Sequence, residues 1–327
     1  MKKIKLTGRK KWLLCGGIVL VVLAALGLLK LRSTKELPPP APVDPVYSQL
    51  TGQEIPVDVA DRPILGVMIE NSEAARPQAG LSSAGIVYET LTEGGITRYL
   101  ALYQEDMPDV VGPVRSLRPI FLEAVMGFDA SIAHVGGSPE ALELVDQRNA
   151  KSLNQFSYDE PYYRDANREA PHNMYARTQA LRDLQAELGH SKSKFVGSAR
   201  NSDSPVEKPV VRTITIDFSL PEFRVQFRYD PLTNQYARFL AGEPDVDSAT
   251  NKQISVKNIV VIKTVDKKSS DSGEALVFRD GKVVKARWQK ADYNQQLTLI
   301  DQNNNEVALN RGHSWFAFVP MGRAVDY

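Results

Sequence analysis

The chain has 327 residues, of which 43% are hydrophobic and 24% are charged, a composition that excludes wholesale disorder and predicts one large or two ordinary domains. The formal net charge of +1 gives no global reason to expect nucleic acid as a partner. Cys15 is the only cysteine, which excludes an intrachain disulfide and a zinc-thiolate site. We therefore expect no cofactor and no transition metal, although carboxylates could still hold Mg²⁺ or Ca²⁺.

The N-terminus combines a basic tail with a long apolar run. Six lysines and arginines precede residues 12–29, which start at Trp12, end at Leu29 and carry no charge. As a helix this run would be about 27 Å long, close to the hydrocarbon thickness of a bilayer. The heavier basic flank predicts a cytoplasmic N-terminus. We expect residues 1–32 to be an uncleaved single-pass anchor in the cytoplasmic membrane, with extracytoplasmic domains after it; a cleaved signal peptide is the alternative.

A proline-rich linker and a mixed α/β domain follow. Residues 33–61 contain Pro38-Pro39-Pro40, which favours a semi-rigid polyproline spacer. Residues 62–190 alternate short apolar runs, turn residues and helical patterns, which predicts a first domain with both strands and helices. The predicted strands are 63–70, 85–93, 96–104 and 129–135, and the predicted helices are 116–126, 140–147 and 176–188.

A β-hairpin is predicted where Gly94-Gly95 joins two alternating runs. With a two-residue turn, Arg98 lies diagonally within reach of both Glu89 and Glu93 on one face of the hairpin. Two interpretations stay open. The three side chains either form a half-buried cross-strand salt bridge, or they form a functional carboxylate pair that the arginine keeps ionised.

Two further features of this domain indicate anion binding. Arg115 and Arg118 follow a Gly-Pro turn three residues apart, so both guanidinium groups would point the same way from the start of a helix. His134 ends a predicted strand, and Ser138 lies in the turn before the next helix, where backbone N–H groups can meet an anion. The alternatives are solvated arginines on a helix surface and a hydrogen-bonded core histidine.

The polar loop of residues 158–175 provides the remaining candidates. It is rich in charged, amide and aromatic side chains and has neither a helical nor a strand period, which is typical of binding or capping loops. Its candidate ligand contacts are Arg164, Arg168, His172 and Asn173. Residues 191–209 are polar and are predicted to be an exposed linker between two domains.

Residues 210–327 are predicted to form a second, β-rich domain. Seven short alternating or β-branched runs lie in fewer than 120 residues, with a turn at Asp280-Gly281, which favours a mostly antiparallel sandwich or open barrel. Aromatic residues of this region either form a carbohydrate or peptide platform or pack in the core: Tyr229, Tyr236, Trp288 and Trp315. The expected fold class of the whole chain is α+β.

Several sequence blocks resemble one known family. The blocks RPILGVMIEN, EGGITRYLALY, GPVRSLRP, HVGGSP and RDANREAPHNMY, together with the ending GHSWFAFVP, are similar to those of the YerB-type lipoproteins of Gram-positive bacteria. The resemblance implies two consecutive domains of unknown function on the outer side of the membrane. Two departures are a membrane anchor in place of a lipid anchor and Ser314 where the family usually has threonine. The family brings no assigned catalytic residues.

Multiple guanidinium groups indicate that this chain binds an anion. We expect a wall polymer, a phosphate ester or a peptide carboxylate to occupy an arginine- and histidine-lined cleft of the first domain. The expected contacts are Arg98, Arg115, Arg118, His134, Ser138, Arg164, Arg168, His172 and Asn173. The sequence has no nucleophile elbow, triad motif or metal-binding histidine cluster, which favours a binding protein over an enzyme.

Two other functions stay open. The chain could be an envelope hydrolase or transferase in which Glu89 or Glu93 works with His134 or His172 as acid and base. It could also be a scaffold that binds a protein partner. The spatial arrangement of these carboxylates and imidazoles is needed to separate the alternatives.

Overall fold

The computed structural model describes residues 44–264 and 272–327. The predicted basic tail and membrane anchor, residues 1–32, lie outside these ranges, as do residues 33–43 of the predicted linker. Within the two described ranges, no helix combines the length and the apolar character that crossing a membrane requires.

Strands make up most of the regular structure. Those of the first part of the chain are β1 Val46–Tyr47, β2 Glu54–Ile55, β3 Leu65–Glu70, β4 Ile86–Leu91, β5 Thr97–Tyr103, β6 Val110–Val111, β7 Ser131–His134, β8 Ser152–Asn154, β9 Tyr162–Arg164, β10 Met174–Arg177 and β11 Arg200–Asn201. Those of the second part are β12 Thr213–Asp217, β13 Arg224–Asp230, β14 Gln235–Leu240, β15 Glu243–Pro244, β16 Val246–Asp247, β17 Lys252–Gln253, β18 Ser255–Val256, β19 Asn258–Thr264, β20 Ser272–Arg279, β21 Lys282–Gln289, β22 Thr298–Ile300, β23 Leu309–Asn310, β24 Ser314–Pro320 and β25 Val325–Asp326.

The helices are few, and the three longer ones agree with the sequence patterns. They are α1 Val57–Ala60, α2 Pro119–Met126, α3 Pro139–Gln147 and α4 Thr178–Glu187. Short 3₁₀ turns occur at Glu73–Ala75, Leu81–Ser83, Glu93–Gly95 and Pro221–Phe223. Both α2 and α3 begin with a proline, whose fixed φ suits the first helical position and whose missing N–H costs nothing there.

One large sheet crosses the predicted boundary between the two domains. Its ten strands lie in the order β22-β21-β20-β19-β24-β4-β5-β3-β7-β8. Strand β24, near the C-terminus, pairs in parallel with β19 on one side and with β4 on the other. The central strands β3 and β5 are buried along their whole length, which explains why the sequence of β3 is a nearly continuous apolar run.

A smaller sheet covers one face of the large one. Strands β12 to β15, β18 and β25 form this six-stranded antiparallel sheet. Its inward side chains, such as Phe227, share a hydrophobic cluster with Ile69 and Trp315 of the large sheet. The opposite face, which includes Met68, packs against α2 and α3. The structure is thus mostly β with few helices and a β-rich second part, as an α+β assignment requires. The large sheet combines strands from both predicted domains, whereas the smaller sheet consists of strands from the second one.

The first hairpin differs from its predicted register by one residue. Strands β4 and β5 pair with Glu89 opposite Tyr99 and Thr90 opposite Arg98. The connecting turn contains three residues, Glu93–Gly95, and both of its glycines have positive φ. Because side chains alternate between faces, this shift places Glu89 and Arg98 on opposite faces of the sheet. The predicted salt bridge between them is therefore wrong.

Candidate functional site

Arg98 is a buried arginine at the end of the hairpin. It lies on β5, directly opposite Glu70 on β3. Its Nη1 donates a hydrogen bond to the carbonyl oxygen of Ser116 at 2.7 Å, and only 9% of the residue is exposed. Among the described residues, no carboxylate oxygen forms an ion pair with it within 4.0 Å. The guanidinium of Arg98 therefore has a backbone partner but no paired counter-charge.

Two arginines and two glutamates surround Arg98, so the group that includes Arg98 has a formal net charge of +1. Burial is the main cause that lowers the pKa of Arg98 to about 10; Arg118 and Arg115 contribute to this lowering, and Glu93 and Glu70 oppose it. Three guanidinium groups thus lie close to two carboxylates. An anion placed among them would relieve both the burial cost and the mutual repulsion of the arginines.

Glu70 connects this arginine group to a histidine. Its Oε2 lies 3.1 Å from Nε of Arg115, and its Oε1 lies 2.9 Å from Nδ1 of His172. The hydroxyl of Ser72 donates to the same Oε1 at 2.9 Å and lies 3.1 Å from Nδ1 of the imidazole. Glu70 is only 4% exposed, whereas the side chain of His172 is 26% exposed. The carboxylate is thus buried beneath an accessible imidazole.

Neighbouring backbone segments fix these positions. The strand-like residue Val114 forms a bridge with Ile69 of β3, and the backbone N–H of Arg115 donates to the carbonyl of Met68 at 2.9 Å. The side chain of Arg115 therefore emerges beside the last residue of β3, which is Glu70. The segment that precedes α2 thus lies along β3, and Arg118 occupies the N-cap position of the helix without a capping hydrogen bond from its side chain.

Arg118 and Glu93 form a bidentate ion pair at the outer end of the group. Nε and Nη2 of the arginine lie 2.5 Å and 2.9 Å from the two carboxylate oxygens. The hydrogen bonds from Arg118 hold the pKa of Glu93 below its usual value. Glu93 is largely exposed, so this pair can open toward a ligand at little cost in free energy.

The polar loop of residues 165–173 carries His172 to the site. Asn173 is 6% exposed, and its side-chain amide donates to the carbonyls of Asp165 and Arg168 at 3.2 Å and 3.1 Å. Its Oδ1 accepts a hydrogen bond from Nη1 of Arg164 at 2.7 Å. Nη2 of Arg168 donates to the carbonyl of Pro77 at 3.0 Å. Asn173 therefore fixes the conformation of the loop, and Arg168 holds it against the segment that contains Pro77.

His134 and Ser138 occupy internal structural positions. The imidazole of His134 is fully buried, and its two nitrogens lie 2.7 Å from the carbonyl oxygen of Gly136 and 2.8 Å from the hydroxyl of Ser152. Burial lowers the pKa of His134, which favours the neutral form. The hydroxyl of Ser138 accepts the backbone N–H of Ala141 as the N-cap of α3. Neither residue contacts the arginine group.

Glu89 lies on the other face of the sheet, in the core. Arg238 of β14 donates to both of its oxygens at 3.2 Å and 3.0 Å, and the indole N–H of Trp315 donates at 3.0 Å. Arg238 also forms an ion pair with Asp245 and donates to the hydroxyl of Tyr99 at 3.2 Å. Both Glu89 and Arg238 are 0% exposed. This network joins two parts of the chain and is inaccessible to a ligand.

The site contains two residues that the sequence patterns do not single out, Glu70 and Ser72. Glu70 ends an apolar strand and resembles an ordinary boundary residue, and Ser72 lies in an unremarkable turn. Their partner His172 is about 100 positions away along the chain. A polar residue at the last position of a buried strand, beside a cross-strand arginine, is the only local signal for Glu70.

In the described part of the chain, neither a cluster of metal-ligating side chains nor the recess described next coincides with this site. Within the described residues, no group of three or more histidine, cysteine, aspartate or glutamate side chains is placed to hold a metal ion. A separate recess of about 540 Å³ is lined in part by Lys151, Lys192 and Lys194. None of the expected site residues lines that recess, and Lys151 and Lys192 already pair with Asp129 and Asp61.

Family profiles match two consecutive parts of the chain. Residues 50–191 match the profile described as "Protein of unknown function (DUF3048) N-terminal domain". Residues 214–316 match the corresponding "Protein of unknown function (DUF3048) C-terminal domain". The arginine group and His172 all lie in the first matched part, and the second matched part ends within β24, the strand that pairs with β4.

A Bacillus subtilis protein is similar in sequence and in structure. The chain is 29% identical over 286 residues to the protein of strain 168 that is named "Putative lipoprotein YerB", covering 83% of this chain and 82% of that protein. The crystal structure of the YerB protein from Bacillus subtilis superimposes with a TM-score of 0.77 at 26% identity. That alignment covers 86% of this chain and all of the crystallised chain.

Proposed function

Because the chain belongs to the YerB-type family of paired DUF3048 domains, we propose that it is an extracytoplasmic envelope protein that binds an anionic ligand. The binding residues are Arg98, Arg115 and Arg118, with His172 at one side. The Bacillus relative is named as a lipoprotein, which supports attachment of this chain to a membrane. The apolar run of residues 12–29 supports a single-pass anchor as the means of attachment in this chain.

The charge of Arg98 is the observation that carries the proposal. A buried guanidinium without a directly paired carboxylate among the described residues costs free energy; two neighbouring arginines raise that cost, and Glu93 and Glu70 offset part of it. A fold that needed only packing at this position would be more stable with an apolar side chain. The retained charge is explained if a bound anion supplies the counter-charge.

The mixture of groups favours a ligand with several oxygens. Arginine offers paired donors that match phosphate or carboxylate oxygens, and three such groups suit a phosphate ester better than a single carboxylate. Arg115 and Arg118 are partly exposed, so they can turn toward a ligand while Arg98 stays fixed by the Ser116 carbonyl. Among the three proposed ligand classes, a phosphate ester therefore fits best.

The test is calorimetric titration of the full-length chain in neutral detergent. The probes are glycerol 3-phosphate as a phosphate ester, N-acetylalanine as a peptide-like carboxylate and glycerol as the uncharged comparison. We expect Arg98→Met to weaken binding of glycerol 3-phosphate about 10- to 100-fold, because a charged hydrogen bond is worth roughly 1.5–3 kcal/mol.

A matched control is Arg148→Met. Arg148 is also partly buried, but it pairs with Glu123 outside the arginine group, so its substitution should leave the affinity unchanged. Unaltered affinity in Arg98→Met would contradict the proposal. Equal affinity for glycerol and for glycerol 3-phosphate would also contradict it, because the two probes differ in the charged phosphate that the arginines are proposed to bind.

A further inference from the structure

We propose that the Glu70–His172 pair is a general base that activates water against a phosphate ester held by the neighbouring arginines. The protein would then hydrolyse its ligand instead of only binding it. This inference rests on the proposed function, because the base has a substrate only if the arginines hold an anion. The carboxylate of this pair, Glu70, is not among the acid and base candidates that the sequence predicts.

The contacts determine which nitrogen of His172 is the base. The carboxylate oxygen Oε1 of Glu70 lies 2.9 Å from Nδ1. A carboxylate only accepts hydrogen bonds, so Nδ1 carries the proton in the neutral imidazole. The other nitrogen, Nε2, is then unprotonated and can accept a proton. The carboxylate thus orients the ring and stabilises the imidazolium that forms when Nε2 is protonated.

Ser72 is a positioning residue and not a nucleophile. Its hydroxyl donates to Oε1 of Glu70 at 2.9 Å and lies 3.1 Å from Nδ1 of His172. Because Nδ1 already carries a proton, it cannot remove the proton of the serine hydroxyl. The two hydrogen bonds to Oε1 instead fix the direction of the carboxylate. Water is therefore the nucleophile that this arrangement can activate.

A second histidine shows what a purely structural imidazole looks like in this fold. His134 is fully buried, and both of its nitrogens have hydrogen-bond partners, Gly136 and Ser152. In His172 only Nδ1 is bonded within the described residues, and the side chain is 26% exposed. An exposed imidazole that a buried carboxylate holds by one nitrogen is the usual arrangement of a general base.

The base and the anion site share Glu70. Its Oε2 lies 3.1 Å from Nε of Arg115, and its backbone lies directly opposite Arg98 across the β3–β5 pair. The carboxylate of Glu70 is therefore the group that links the imidazole of His172 to an anion bound by Arg98 and Arg115. Hydrolysis of a phosphate ester depends mainly on positioning and on charge stabilisation, which a group of arginines can provide.

The reaction balances without another reactant. Nε2 of His172 takes a proton from water as the water oxygen forms a bond to phosphorus, and the bond from phosphorus to the ester oxygen breaks. The leaving oxygen takes a proton from solvent on the far side, and the imidazolium returns its proton to solvent. The products are an alcohol and phosphate. Because the leaving oxygen has no protein acid here, esters of acidic alcohols should react fastest.

The test measures hydrolysis of p-nitrophenyl phosphate by the full-length chain, together with calorimetric binding of glycerol 3-phosphate. His172→Asn keeps a donor toward Glu70 but removes Nε2. We expect it to lower kcat at least about 100-fold, because general bases contribute about 10²- to 10⁴-fold, while KM and the affinity change less than about threefold. Added imidazole should restore part of the activity of His172→Ala, which a structural role would not predict.

The matched control is His190→Asn. Nδ1 of His190 also lies 3.0 Å from a serine hydroxyl, that of Ser131, but outside the site, so kcat should stay at the wild-type value. If the wild-type chain binds glycerol 3-phosphate but does not hydrolyse p-nitrophenyl phosphate, this inference is overturned and the proposed function stands. Equal kcat in His172→Asn and wild type has the same consequence. Absence of both binding and hydrolysis in the wild-type chain would reject the two together.

Discussion

Two buried arginines illustrate how differently this protein treats charge. Arg238 contacts Glu89 and Asp245, and although burial lowers its pKa, Tyr99 and Glu89 outweigh that effect and raise it. Within the described ranges, Arg98 has only a carbonyl as hydrogen-bond partner, and burial is the main cause that lowers its pKa to about 10. A charge that the protein itself compensates is structural. The charge of Arg98, which no carboxylate pairs with directly among the described residues, is the one on which the proposed anion binding rests.

At the same scale, the Glu93–Arg118 pair gives a prediction about pH. Hydrogen bonds from Arg118 lower the pKa of Glu93 in the folded state. The pair therefore stabilises the fold above the ordinary glutamate pKa of about 4.3, and this stabilisation is lost as pH falls through the lower folded value. Since Glu93 is mostly exposed, we expect Glu93→Gln to cost under about 1 kcal/mol at pH 7.

Urea unfolding of the wild-type protein and of Glu93→Gln between pH 7 and pH 3 checks this expectation. The difference in unfolding free energy should shrink below about pH 4, where the wild-type carboxyl also loses its charge. The control is Glu143→Gln on α3, since Glu143 forms no ion pair within the described residues and should show no such trend. A difference that persists unchanged at pH 3 would mean that charge is not its cause.

At the scale of elements, one loop and one turn build the site. The loop of residues 165–173 brings His172 to Glu70, and the turn Glu93–Gly95 sets the β4–β5 register, which puts Arg98 opposite Thr90 and on the face away from Glu89. Neither element has a strong period of its own. Each depends on a few hydrogen bonds, so the geometry of the site is sensitive to single substitutions far from any ligand.

Asn173→Ala tests the loop. Its buried amide bonds the carbonyls of Asp165 and Arg168, and leaving such groups unpaired costs about 1–3 kcal/mol each. We expect faster hydrogen exchange at the amides of Asp165 and His172 and a lower free energy of unfolding. Asn167→Ala, in the exposed part of the same loop, should change the stability by less than about 0.5 kcal/mol. Unchanged exchange in Asn173→Ala would show that other contacts hold the loop.

At the scale of the molecule, the two predicted domains share a sheet and a charge network. Residues Pro45–Tyr327 form one compact unit, in which β24 pairs with β4 and Arg238 pairs with Glu89 from the first matched part. The arginine site lies wholly in that first part. The strands β4 and β5 that support the site nevertheless depend on pairing with β24. The C-terminal part of the chain therefore stabilises a site to which it contributes no binding residue.

Arg238→Met tests this coupling. Removing Arg238 leaves the buried carboxylates of Glu89 and Asp245 without their counter-charge, and breaking such a buried ion pair costs about 3–5 kcal/mol. We expect a single unfolding transition at lower denaturant, with faster hydrogen exchange in β4 as well as in β14. Arg228→Met, an exposed arginine of the neighbouring strand, should cost under about 1 kcal/mol. Loss of protection in β14 alone would mean that the two parts unfold independently.

The sequence predicts the elements and the broad class of this fold well. The strands at 65–70 and 97–103, the helices α2, α3 and α4 and the β-rich second part all follow from local period and from turn residues. The burial of Tyr236, Trp288 and Trp315 agrees with the core interpretation of these aromatics. The blocks of the YerB-type family also identify the chain, because they consist of contiguous residues.

What the sequence determines by itself is therefore local: where strands and helices lie, which family blocks occur and where arginines concentrate. The tertiary structure alone decides the hairpin register, because both a two-residue and a three-residue turn fit Gly94-Gly95. It also decides that Glu89 pairs with Arg238, 149 positions away, and Glu70 with His172, 102 positions away. Such pairings depend on how the strands assemble, and no pattern within a single segment encodes them.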